Sequence, residues 1–142
     1  MTGRPSEFTQ ERADLICSRL AEGESLRAIC LDDDMPDRTT VFRWIRDRAE
    51  FRNQYASARE DQADTIFEEM LEIADDGSRD YDVGEDGREV VDHDHIQRSK
   101  LRVETRKWVL GKLAPKKYGE KIQTEHSGRI IQTVERVIVR PK

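Results

Sequence analysis

Cysteine, proline and aromatic residues are scarce in this 142-residue chain: it has two cysteines, four prolines and 6% aromatics. Two cysteines, Cys17 and Cys30, cannot supply the dense disulfide framework of a small secreted scaffold. Both fall among apolar residues of predicted helices and read as reduced core thiols of a cytoplasmic protein rather than as a disulfide. No apolar run approaches the roughly 20 residues that span a bilayer, so no membrane partner is expected. The opening MTGRPSEF has no apolar stretch like that of a secretory signal. A phosphate-cradling G-x-x-x-x-G-K-[ST] loop is missing, and no Cys/His or Ser/His pattern suggests a nucleophile. Neither catalysis nor a cofactor is therefore expected. His93 and His95 alternate with Asp92 and Asp94 in a segment read as loop, but without the supporting ligands of a metal site. Asp32 to Asp34 lacks the spacing of a calcium loop.

What the chain has is charge, 39% of residues against 35% hydrophobic. The core must be modest for this length, which fits small helical units that bury part of their apolar surface against copies of themselves. The charge is unevenly placed. Residues 1–53 hold nine arginines and eleven acids, net −2. Residues 54–91 hold three arginines and thirteen acids, net −10, and residues 92–142 hold thirteen Lys/Arg and six acids, net +7. Such asymmetry points to surfaces that face different partners.

Periodicity predicts helices along most of the chain. After an arm over residues 1–8, Thr9 caps a helix whose Ala13, Ile16, Cys17 and Leu20 recur at helical spacing until Gly23 stops it. Ser25 caps a second helix with Leu26, Ile29 and Cys30 inside. The break at Asp32–Pro36 follows, and Pro36 is expected to start a third helix that runs to about Arg48. A longer helix is expected from Glu50 to Ala74, with Phe51, Tyr55, Ala58, Ile66, Met70 and Ile73 in series and Gln62 interrupting them. Glycines and acids make Asp75 to Asp94 loop-like, with Tyr81–Val83 and Glu89–Val91 able to pair across GEDG. A helix from about His95 to Leu113 carries one stripe of Ile96, Val103 and Leu110, and Leu101 and Trp108 on another face. A helix apolar on two sides packs against two neighbours.

Two features carry function. The first is Ser25 to Arg48, two short helices around a break, which is the layout of a helix-turn-helix. On its second helix Val41, Trp44 and Ile45 cluster on one side, and Thr39, Thr40, Arg43 and Arg46 fall mainly on the other. Arginine and threonine can reach base edges or phosphates; Arg38 stands at the helix start, where backbone N–H groups also favour phosphate. Arg48 and Arg52 extend the strip, and Arg4 lies in an arm able to enter a minor groove. Against this stand a merely solvated charged face and an idle arm, and Asp37, Asp47 and Glu50 dilute the field. The second feature is Ile130 to Val139, rich in Ile, Val and Thr with no turn signal, which reads as a strand. A lone strand leaves its edges unpaired; the same strand from neighbouring copies could close into a barrel. The alternative is a disordered or aggregation-prone tail. The basic series Lys100, Arg102, Arg106, Lys107, Lys112, Lys116, Lys117 and Lys121 is better read as pairing between subunits with the acidic region of Asp64, Glu68, Glu69 and Glu72 than as direct DNA contact.

Taken in order, GRPSEFT, GESLRAIC, MPDRTTVFRWI, EFRNQYASARE, ADTIFEEMLEIADD and LRVETRKWVLGKLAPKKYGEKI resemble the small terminase subunit of tailed bacteriophages, of the short podovirus type that serves headful-packaging motors. The resemblance covers most of residues 3–122. It implies a mainly α chain: a helix-turn-helix DNA-binding domain at 1–50, a central helical oligomerisation domain at 51–122, and a C-terminal strand and tail at 123–142 that pairs between subunits into a barrel. It implies a homo-oligomeric ring that recognises double-stranded viral DNA at the packaging site and regulates the ATPase and nuclease of the large terminase subunit. The site would be the cytoplasm of the infected bacterial host, not the mature virion. DNA contact is carried onto Arg38, Thr39, Thr40, Arg43 and Arg46, with Arg48 and Arg4 beside them. Ring assembly is carried onto Ile66, Met70, Ile73, Leu101, Val103, Trp108 and Leu110, and barrel pairing onto Ile130, Val134 and Ile138. The loop from Gly77 to His95 is longer than the resemblance leads one to expect. The rival reading is a dimeric helix-turn-helix transcriptional regulator.

Overall fold

The computed structural model describes residues 3–120, 128 and 133–141. Helix α1 (Gln10–Ala21) opens at Thr9, whose hydroxyl accepts from the Arg12 amide. It ends before Gly23, which has φ 104° and whose missing Cβ leaves room for Thr65 and Glu69. Helix α2 (Leu26–Ile29) is a single turn capped by Ser25. Helix α3 (Arg38–Asp47) starts two residues later than the sequence suggests. The Asp37 carboxylate accepts the Thr40 amide at 2.8 Å, taking one of the N–H groups a helix start leaves unpaired. Pro36 and Met35 are instead buried.

Helix α4 (Ala49–Asp75) is 27 residues long and serves two bodies of structure. Its first turns complete the core of the N-terminal head, where Phe51 and Ala58 join Ile16, Leu20, Ile29, Val41 and Trp44. Phe8 closes this core from the arm, edge-on to Trp44 at 5.2 Å and to Phe51 at 5.8 Å between ring centroids. Both cysteines are buried and unpaired, as expected of core thiols, and burial pushes the Cys17 thiol up to about 11. Gln62, which breaks the apolar series, is 3% exposed. Its amide donates to the Glu24 carbonyl at 2.8 Å and its oxygen accepts from Arg59 at 2.7 Å. Thr65 donates to the Ala21 carbonyl at 2.7 Å. A buried polar group costs little when both its ends are satisfied, so these residues stitch α4 to the α1–α2 turn.

Beyond Asp75 the chain forms the expected hairpin, β1 (Tyr81–Val83) antiparallel to β2 (Glu89–Val91), with Tyr81 opposite Val91 and Val83 opposite Glu89. Gly87, at φ 76°, provides the left-handed residue of its turn. Helix α5 (His93–Leu113) begins earlier than expected because Asp92 caps it, accepting from the His95 amide at 3.0 Å. His93 and His95 therefore lie in a helical first turn rather than a loop, and His95 faces Asp80 at 3.8 Å. α5 returns antiparallel along α4: Ile96 and Val103 lie near Ile73, and Arg106 reaches Glu69 at 3.4 Å. Val103 and Leu110 face inward, whereas Leu101 and Trp108 are exposed, Trp108 at 65%. The two-sided character read from the sequence is thus present, with α4 covering one side.

Helix α6 (Pro115–Tyr118) folds back onto α4. Asp64 accepts from the Lys117 ammonium at 2.7 Å and the Tyr118 hydroxyl at 2.6 Å, while Tyr118 stacks on Phe67 at 5.2 Å. Lys117 and then Tyr118 hold the Asp64 carboxyl below its ordinary value. Its folded-state pKa lies below the unfolded one, so the stabilisation is complete at neutral pH and is lost as pH falls through the depressed value. Amide hydrogen exchange over residues 114–119 should accelerate across that acidic range beyond its intrinsic pH dependence, and Asp64→Asn should abolish the excess. The pairing of basic C-terminal residues with acidic α4 is real, but Lys117–Asp64 and Arg106–Glu69 form within one chain. Residues 133–141 carry no regular element and expose Val134, Val137, Ile138 and Val139. Ile130 lies outside the described residues.

Candidate nucleic-acid interface

Helix α3 lies across the head with its inner side on the core. Val41 and Trp44 are buried and Ile45 packs against them. Thr40, expected on the outer face, turns inward at 9% exposure; it is one helical turn from Trp44, on the buried side. Arg38, Thr39, Phe42, Arg43 and Arg46 are all exposed. At about 100° per residue they share an arc of roughly 140°, so the outward surface of α3 is continuous, with Phe42 inside it.

Several arginines of the strip have local partners. Arg43 donates to the Ser6 carbonyl at 3.2 Å and so rests against the arm. Arg4 donates to the Cys30 carbonyl at 2.7 Å, which fastens the arm to the end of α2 rather than leaving it loose. Arg48 lies over the Phe8 ring at 4.0 Å, a cation–π contact. Arg52 donates to the Ile45 and Arg46 carbonyls at 2.9 and 2.8 Å. It thereby satisfies the C-terminal carbonyls of α3 instead of extending an open basic strip. Arg38 and Arg46 make no side-chain hydrogen bond among the described residues. Arg19 bridges Glu24 and Asp32 on the far side of the break, which neutralises part of the acidic run.

The Asp37 carboxyl sits below its ordinary value, chiefly because it accepts from Thr40, with Arg4 and Arg43 adding attraction. Its charge is thus committed to the helix start. Phe42 is the residue that the sequence reading missed. An aromatic between Val41 and Trp44 reads as core by composition, and only its angular position, beside Arg38 and Arg46, signals otherwise. No group of three or more His, Cys, Asp or Glu side chains is arranged to hold a metal among the described residues. No helix among them is long and apolar enough to cross a membrane.

The model of a protein family described as bacteriophage Sf6, terminase small subunit-like, matches residues 8–125. Among solved structures the chain is similar to three crystal structures of the terminase small subunit gp1 of the bacterial virus Sf6, each of a different single-residue mutant. They are 41%, 39% and 40% identical to it. Each match has a TM-score of 0.67 and covers 93% of this chain and 96% of the other. No curated protein matches the sequence.

Proposed function

Because the chain belongs to the bacteriophage Sf6 terminase small subunit-like family, we propose that it recognises viral genomic DNA at the packaging site and regulates the ATPase and nuclease of the large terminase subunit. The observation that carries DNA recognition is the outward arc of α3, where Arg38, Thr39, Arg43 and Arg46 face solvent together. Side chains of this kind, on a helix presented by a head of three short helices, suit a major groove. The protein itself acts by binding, without catalysis. It works in the cytoplasm of the infected bacterium and does not remain in the mature virion.

The working form is a homo-oligomeric ring. Residues 1–50 serve as DNA-binding heads, 51–122 as the oligomerising wall and 123–142 as strands that pair between subunits into a barrel. Exposed Leu71, Leu101 and Trp108 on the helical hairpin, and exposed Val134 and Ile138 in the tail, support this reading, since each leaves apolar surface open. Ile66, Met70, Ile73 and Val103 are partly covered by the chain itself, and Leu110 fully so. Leu101 and Trp108 therefore have the larger part in subunit contact.

A ring of weak heads binds DNA by raising effective concentration. The logarithm of its affinity should fall linearly with log salt, with a slope of about −0.9 for each phosphate engaged. Native mass and duplex titrations from low to high salt test the two halves together. A flat salt dependence would sink DNA recognition through the arginines, and a dimeric mass with a short palindromic site would return the chain to the regulator class.

A further inference from the structure

Phe42 is placed where the packing of the head does not require it. Phe42 is 44% exposed, whereas Trp44 and Phe51, its nearest aromatic neighbours in sequence, are buried. On the outward arc of α3 it sits between Arg38 and Arg46, with Thr39 beside it. A phenyl ring has no donor or acceptor, so it can neither read hydrogen-bonding edges nor hold a phosphate. Within a major groove it offers only apolar contact, and the groove presents one apolar group, the C5-methyl of thymine.

We infer that Phe42 packs against thymine methyls and biases each head towards A·T pairs under the middle of α3. This rests on the reading of α3 as the groove-facing helix. The division of labour is chemical: the guanidiniums of Arg38 and Arg46 hold phosphates or guanine edges on either side, and the ring between them reads a methyl that neither can sense. A ring wedged between base steps from the minor groove would not touch that methyl, which lies in the major groove. A ring used to dock a protein would not affect DNA at all.

The test removes the methyl without disturbing base pairing. Duplex fragments tiling the genome that encodes the chain are amplified once with thymidine triphosphate and once with deoxyuridine triphosphate. The wild-type assembly should bind the thymine fragments tighter by about fourfold per contacted methyl, the value of one buried methylene-sized group. Phe42→Ala should bind both pools alike, near the wild-type affinity for the uracil pool, and Phe42→Leu should keep part of the preference. Circular dichroism and native mass verify that both variants fold and assemble. Equal wild-type binding to the two pools overturns the inference, as does a Phe42→Ala protein that still discriminates. The double variant Arg43→Gln, Arg46→Gln separates the underlying reading. If it binds both pools as tightly as wild type, α3 does not face DNA. If it weakens both while wild type shows no preference, only the role of Phe42 falls.

Discussion

Arg43→Gln combined with Arg46→Gln should weaken duplex binding by the assembled protein at least tenfold near 0.15 M salt and flatten its salt dependence. Glutamine keeps a polar side chain but removes the charge and the planar fork of five donors. For every phosphate that is no longer neutralised, the log–log slope should drop by about 0.9. The loss recurs in every head that touches the duplex, so avidity amplifies a modest change per head. Both side chains are exposed on α3, away from the α4–α5 packing, and native mass should therefore stay unchanged. Arg43 is aimed by the Ser6 carbonyl, while the backbone oxygen of Arg46 is held by Arg52. Arg43 therefore has less side-chain freedom to lose on binding than an unsupported arginine, whereas Arg46 is anchored only at its backbone. Anisotropy titrations over several salt concentrations measure both quantities. Affinity that matches wild type throughout the series would remove DNA from this face.

Phe51→Ala should be the most destabilising single change in the head. Phe51 is 1% exposed and lies among three other aromatics, Phe8, Trp44 and Tyr55, with centroids at 5.8, 6.0 and 6.1 Å. Removing a buried Phe typically costs about 3–5 kcal/mol, against a total stability of about 5–15 kcal/mol for a domain. The head is small, so the loss takes a large share of what holds α3 in place. DNA binding should fall together with the near-ultraviolet signal of Trp44, while α4 and α5 retain their helical signal. Trp108→Ala is the contrast: loss of this 65%-exposed residue should change the stability of an isolated chain by less than about 0.5 kcal/mol. Thermal and denaturant unfolding followed by both signals distinguishes the two. A Phe51→Ala head that melts with the wild type would show that the aromatic cluster is not what supports α3.

The elements with local causes were legible in the sequence. Thr9 and Ser25 announce helices α1 and α2 because a cap acts within three residues. The hairpin was readable from GEDG between short β-branched runs. Asp37 and Asp92 have the same meaning, but Pro36 and the acidic run around Asp92 obscure it, so the sequence puts the start of α3 two residues early and that of α5 two residues late. Non-local causes were not readable. Gln62 looked like a fault in an apolar series because its partner, the Glu24 carbonyl, lies 38 residues away. Arg4, Arg48 and Arg52 resembled Arg43 in type and spacing; only folding tells which arginine rests on Cys30, Phe8 or Ile45. Thr40 is expected outside by residue class, yet helical angle turns it inward, and the same angle puts Phe42, which residue class does not flag, on the outer arc. The strand expected over Ile130–Val139 is not formed in residues 133–139, because a strand needs a partner and hydrophobic pattern alone does not supply one.

Helix α4 is continuous from the core of the head to the base of the hairpin. At about 1.5 Å per residue, its 27 residues form a spar of roughly 40 Å. Gln62 and Thr65 fasten the head to its middle and α6 clasps Asp64 and Phe67 next to them, so no slack linker separates the two. A tilt of roughly 10° about the hairpin end then carries the opposite end about 7 Å. That is about two base-pair rises of a duplex. In the proposed ring, small changes in how neighbouring spars lean would reset which base pairs a head meets, turning the angle between subunits into a choice of register along DNA.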